Sequence, residues 1–105
     1  MKIHRYIIKG MLEAGYSAQV WSEDQEPDLN WSRSPESVVA ACEDVDISTV
    51  YFQKGDRPFW NEKMTVVCEF DTQDDEYVAD FTVRGAVEVL WDRYNAIYCG
   101  KRVFD

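Results

Sequence analysis

Apolar and polar positions alternate most cleanly over residues 64–71, where Met64, Val66, Cys68 and Phe70 interleave with Thr65, Val67, Glu69 and Asp71. A period of two predicts a strand with one buried face. Further on the period changes. Val83, Ala86, Val87, Leu90, Trp91, Tyr94, Ile97 and Tyr98 recur in steps of three and four, which predicts a helix over 83–98 with one apolar stripe. Thr82 or Asp80 is positioned to cap that helix, Gly85 lowers the propensity of its first turn, and Gly100 supplies a stop. Residues 77–81 read either as a short strand or as the lead-in to the helix.

Upstream, residues 3–13 are rich in Ile, Tyr, Met and Leu, Ala14-Gly15 offers a turn, and Tyr16–Trp21 is a second β-prone run, so the pair reads as a hairpin. Residues 22–33 are polar, acidic and interrupted by Pro27, which reads as a loop. A helix start follows at Ser34-Pro35-Glu36: a capping hydroxyl, a proline suited to the first helical position and an acid at the positive end of the dipole. Val38, Val39, Cys42 and Val45 continue it at helical spacing. Ile47–Gln53 is β-branched and aromatic, hence a strand, and residues 54–58 and 72–76 are turns. The order is then β-β-α-β-β-α: an α+β domain over 1–105, with an antiparallel sheet of about four strands and two helices packed on one face.

Charge changes the picture. The 105 residues carry 20 acidic and 11 basic side chains, a formal charge of −9, yet 46% are hydrophobic. A disordered acidic tail lacks the apolar residues to offset chain entropy; this chain, with 4 Trp, 6 Tyr and 5 Phe, has them. Its field repels nucleic acids and anionic membranes and attracts basic surfaces. No apolar run approaches the roughly 18 residues that span a bilayer, and Lys9 and Glu13 break up the N-terminal apolar stretch, so neither a membrane segment nor a signal peptide is expected. The expected location is the cytoplasm, where the Asn30-Trp31-Ser32 sequon has no role.

The acids are clustered. Glu23, Asp24, Glu26 and Asp28 form one group, Glu43, Asp44 and Asp46 a second, and Glu69, Asp71, Asp74, Asp75, Glu76 and Asp80 a third, with no Lys or Arg inside any of them. Basic residues fall elsewhere, including Lys2, Arg5 and Lys9 on the expected first strand. Trp31 and the pair Phe59-Trp60 lie in expected loops, where aromatic side chains beside charge serve as interface anchors or fold back over a sheet. Trp21 and Trp91 belong to periodic elements and are expected in the core.

Catalytic and metal chemistry finds little support. His4 is the single histidine and has no neighbouring Ser, Cys or acid in sequence. The three cysteines, Cys42, Cys68 and Cys99, are far apart and sit in apolar patterns, as buried thiols do; a zinc site built from them and His4 lacks the usual close-spaced ligand pairs. The acidic turn 71–76 misses the EF-hand spacing, and no glycine-rich phosphate loop occurs. No enzyme activity, cofactor or metal is expected.

The functional expectation is a small cytoplasmic interaction protein that binds and blocks a basic protein surface by presenting carboxylates where phosphates would lie. A phage-type inhibitor of a nucleic-acid enzyme, an immunity protein or antitoxin against a toxin, and an accessory subunit all fit this description. The expected contact face is Glu23, Asp24, Glu26 and Asp28 together with Glu69, Asp71, Asp74, Asp75, Glu76 and Asp80, anchored by Trp31 and Trp60. The competing expectation is a small-ligand binding domain or minor enzyme with a pocket between sheet and helices.

Overall fold

The computed structural model describes residues 2–23, 25–55, 60–68 and 76–98, with 76 and 77 described by their backbone alone. These residues form helices α1 (Ile3–Glu13), α2 (Pro35–Glu43) and α3 (Ala86–Tyr98) and strands β1 (Tyr16–Trp21), β2 (Leu29–Ser32), β3 (Ile47–Lys54), β4 (Glu62–Cys68) and β5 (Glu76–Phe81). The strands make one antiparallel sheet in the order β2-β1-β3-β4-β5. The α+β class and the antiparallel sheet are as the pattern predicts. The sheet has five strands rather than about four, and three helices accompany it rather than two.

The additional helix is α1, which replaces the expected first strand of a hairpin. Its buried residues are His4, Ile7, Ile8, Met11 and Leu12, a spacing of three and four that makes one stripe. Isoleucine content and the apolar run Tyr6-Ile7-Ile8 favour a strand locally, but burial of this stripe against the sheet outweighs that weak preference. Gly10 marks where α3 crosses, because a β-carbon there would stand 2.8 Å from Leu90 Cδ1. Gly15, at φ 102°, ends the helix in the left-handed conformation that glycine adopts at low cost, and its N–H donates to the Leu12 carbonyl. Strand β2 occupies part of the expected 22–33 loop. It has only four residues, Leu29-Asn30-Trp31-Ser32, and a register shift against β1; their apolar–polar alternation is too brief to stand out beside Pro27 and the acids before it.

Strands β3 and β4 alternate as their sequences predict: Val50 and Phe52, then Met64, Val66 and Cys68, point to one side with Ala18 and Val20 of β1. On that side they meet Ile7, Ile8, Met11 and Leu12 of α1, Val38 and Cys42 of α2, and Val87 of α3. All three helices therefore cover the same face, with α1 touching both α2 and α3. Trp91 is half-buried, packed against this core and against Phe81, with ring centroids 5.5 Å apart.

Two carboxylates fasten helices to the rest. At the start of α2 the cap is the expected one, with Ser34 Oγ accepting from the Ser37 N–H. At the start of α3 neither Thr82 nor Asp80 caps. Glu62, on β4 and only 7% exposed, accepts from the N–H groups of Ala86 and Val87 at 2.8 Å each. A carboxylate at a helix N-terminus satisfies free donors and complements the dipole. Gly85 makes the approach possible, since a β-carbon there would lie 2.6 Å from the Glu62 carboxyl carbon. The Arg84 N–H donates to the Glu88 carboxylate at 2.6 Å, and Arg84 stands at φ 62°.

The second carboxylate is Glu43, at the last turn of α2. Arg5 of α1 donates to both its oxygens, Nε at 2.7 Å and a terminal nitrogen at 2.8 Å, and His4 Nε2–H donates to Oε2 at 2.7 Å. His4 is fully buried, and the fold sets beside it an acid, Glu43, that its sequence neighbours do not provide. The Arg5 bond holds the Glu43 carboxyl below its ordinary value of 4.5; partial burial opposes this and the His4 bond assists it.

Glu62→Ala leaves two backbone donors uncompensated and should destabilise the protein by about 2–4 kcal/mol in denaturant unfolding. Gly85→Ala should lose a comparable part of that stability by displacing the same carboxylate. For Glu43, a lowered folded-state pKa means its contribution is fully present above the unfolded value near 4.5 and is lost as pH falls through the folded value. Glu43→Gln should thus cost on the order of 1 kcal/mol at neutral pH and converge with the parent protein in strong acid, as read from melting temperature against pH.

Candidate functional site

Antiparallel pairing decides which connections meet. Trp21 pairs with Thr49, Ile47 with Val67, and Cys68 with Glu76, so the end of β1, the start of β3, the end of β4 and the start of β5 lie at one end of the sheet. The Cys68 N–H also donates to the Asp46 carbonyl at 2.7 Å. Each acid-rich stretch begins or ends here. Glu23 follows β1, Asp44 and Asp46 join α2 to β3, and residues 69–75 run between Cys68 and Glu76 in sequence.

Glu23, Asp44 and Asp46 line a cleft of about 480 Å³ together with Ser22, Val45 and Ile47. Asp44 and Asp46 stand outside the face expected from sequence, although their cluster is visible there; only strand pairing shows that they adjoin Glu23. Glu26 and Asp28 are exposed in the β1–β2 connection, and the Asp28 N–H donates to the Val20 carbonyl. Glu76 opens β5. Asp24, Glu69, Asp71, Asp74 and Asp75 lie outside the described residues. Asp80 separates from this group. Four residues beyond Glu76, roughly 13 Å along the strand, it pairs with Thr65 and accepts from the Phe81 N–H.

The electrostatics of this end run against local stability. Helix α2 points its C-terminus, the negative end of its dipole, at the cleft, and its last turn has no basic residue. Asp44 is the C-cap itself. Among the described residues, Arg5 of α1 is clasped by Glu43, and Lys2 precedes that helix. Arg33, Lys54, Lys63 and Arg84 fall at or toward the opposite end of the sheet, where Tyr16 pairs with Lys54 and Met64 with Phe81.

The sheet face turned away from the helices holds Trp21 and Tyr51, with Trp60 beside them. Trp21, expected in the core, lies on this open face because it alternates with buried Ala18 and Val20. Its Nε1–H donates to Gln19 Oε1 at 2.8 Å, and Gln19 Nε2 donates to Asn30 Oδ1 at 2.8 Å. Tyr51 pairs across the sheet with Gln19. Trp60, 46% exposed, leans over Tyr51 with ring centroids 5.6 Å apart. Gln19, Trp21, Tyr51 and Trp60 line a shallow, open recess of about 270 Å³. Trp31 is exposed on edge strand β2, and its N–H donates to Asn30 Oδ1. Trp60 and Trp31 thus belong to the sheet surface rather than to the acidic end.

Cys42 and Cys68 are buried free thiols, and Cys99 lies outside the described residues. Burial pushes the Cys42 thiol up to about 12, opposed in part by the nearby Ser48 hydroxyl, so it is protonated and a poor nucleophile at neutral pH. Among the described residues no three or more His, Cys, Asp or Glu side chains are grouped so as to hold a metal ion. No described helix is long and apolar enough to cross a membrane. Compared with protein-family models, with curated proteins and with solved structures, the chain finds no match.

Proposed function

We propose that this chain is a small acidic interaction protein that docks its acid-rich end on a basic protein surface and blocks it. The observation that carries the reading is the cleft where Glu23, Asp44 and Asp46 meet at the C-terminus of α2. Like charges at the negative end of a helix cost about 0.3–1 kcal/mol each. A chain that places acids there, with its described loop cations toward the other end, sacrifices stability for a directed field. Such a field speeds association with a complementary surface and rejects polyanions. The partner class that fits is a nucleic-acid-binding enzyme or a nuclease toxin, whose phosphate-binding surface the carboxylates would occupy. Inhibition in an anti-defence or an immunity setting follows equally from that contact.

The competing reading, a ligand pocket between sheet and helices, is less well served. That layer is filled by Ile7, Met11, Val38, Phe52, Met64 and their neighbours, all fully buried.

The test is a double substitution, Asp44→Lys with Asp46→Lys. Because it relieves an unfavourable dipole contact, it should raise the melting temperature slightly while slowing association with a partner captured from cell extract. The slowing should reach about tenfold at low ionic strength and shrink as salt is added. Unchanged association at every ionic strength would remove the acidic end from the contact.

A further inference from the structure

We propose that the recess on the open sheet face is an arginine-binding site, in which a guanidinium of the basic partner lies against Trp60 and Tyr51 above the side-chain amide of Gln19. The inference rests on the acidic-docking reading and names the contact that retains the partner once charge has brought it in.

Space and preorganisation come first. The recess, about 270 Å³, shallow and lined by Gln19, Trp21, Tyr51 and Trp60, has room for one planar side-chain group lying against the rings rather than for a folded segment. Its polar floor is fixed before any ligand arrives, because Gln19 is held between the Trp21 indole and Asn30. Locked side chains lose little further freedom on binding. Trp60 is 46% exposed, a large aromatic surface that the protein's own packing leaves in water.

Chemistry then selects the ligand. Aromatic faces attract cations, and a guanidinium is planar and weakly hydrated, so it stacks on rings while donating from its edges. Acceptors are at hand in the Tyr51 hydroxyl and the second lone pair of Gln19 Oε1. The ring already holds a cation: Lys63 Nζ stands 5.8 Å from the Trp60 centroid. With a formal charge of −9 over the chain, stacking of nucleic-acid bases on the same rings is opposed by phosphate repulsion. A neutral ligand would gain nothing from that charge. Lys63 is then a resident competitor, displaced from Trp60 when the guanidinium enters.

The probe is N-acetyl-arginine methylamide, titrated into the intact chain at moderate salt while the tryptophan indole resonances are followed by NMR. The comparators are N-acetyl-lysine methylamide, a tetraproline peptide and a short single-stranded oligodeoxynucleotide. The arginine probe should shift the Trp21 and Trp60 indole signals at lower concentration than any comparator. Trp60→Ala should weaken it by about threefold or more, and Lys63→Met should tighten it by about threefold by removing the competing charge. Weaker or unchanged binding in Lys63→Met overturns the proposal, as does a stronger response of the same two indoles to lysine, proline or nucleic acid. The probe contains no partner, so this result is independent of the acidic end. Arginine binding that survives alongside a failed Asp44/Asp46 experiment would leave the recess standing without the docking reading, and the reverse pattern would do the opposite.

Discussion

The chain has one apolar layer, and the placement of every described helix follows from filling it. Strands β1, β3 and β4 each present alternate apolar residues to the same side, so each helix that needs cover must go there. Helix α1 is central, because it contacts α2 and α3 and brings Ile7, Ile8, Met11 and Leu12 to the layer with no fully polar position among them. Where it crosses α3 the absence of a side chain at Gly10 allows Leu90 to lie against the backbone. One-sided cover has a second effect. The reverse of the sheet is left to side chains that tolerate water on one edge, which is why Gln19, Trp21, Thr49, Tyr51 and Thr65 collect there half-buried.

Charge is distributed by topology rather than by composition alone. A simple antiparallel arrangement sends alternate connections to opposite ends of the sheet, and the acid-rich segments fall on connections that share an end. Helix α2 reinforces that polarity, since its carbonyl end faces the same way. Glu43 shows how the cost is contained: its charge is absorbed by Arg5 and buried His4, which at the same time tie α1 to α2. Asp44 and Asp46, one and three residues on, line the cleft instead.

Much of this was legible in the sequence where one physical signal dominated. The period of two in β4, the period near 3.6 in α3 and the Ser34-Pro35-Glu36 start of α2 each describe a local preference that tertiary packing also wants. Helix α1 was obscured because its stripe is carried by isoleucines, whose β preference points the other way, and by a glycine whose purpose is contact with a helix 80 residues downstream in sequence. Strand β2 alternates over four residues only, too few to separate it from the polar, proline-containing segment before it. Trp21 was misplaced because an aromatic residue in a strand signals burial but not the face. For the candidate site, the acid clusters are plain in the sequence, but the adjacency of Glu23 to Asp44 and Asp46, and the separation of Asp80, depend on strand order, which composition does not contain.

Glu62 has a bearing on how the C-terminal helix comes to exist at all. The acceptors for its first free N–H groups are the side-chain carboxylate oxygens of a strand residue 24 and 25 positions earlier. Residues 86–98 on their own are a segment of 13 with exposed Val89 and Ile97, too short to hold a helix in water by propensity. Helix α3 is therefore conditional on β4 being in place: its beginning is written in the sheet.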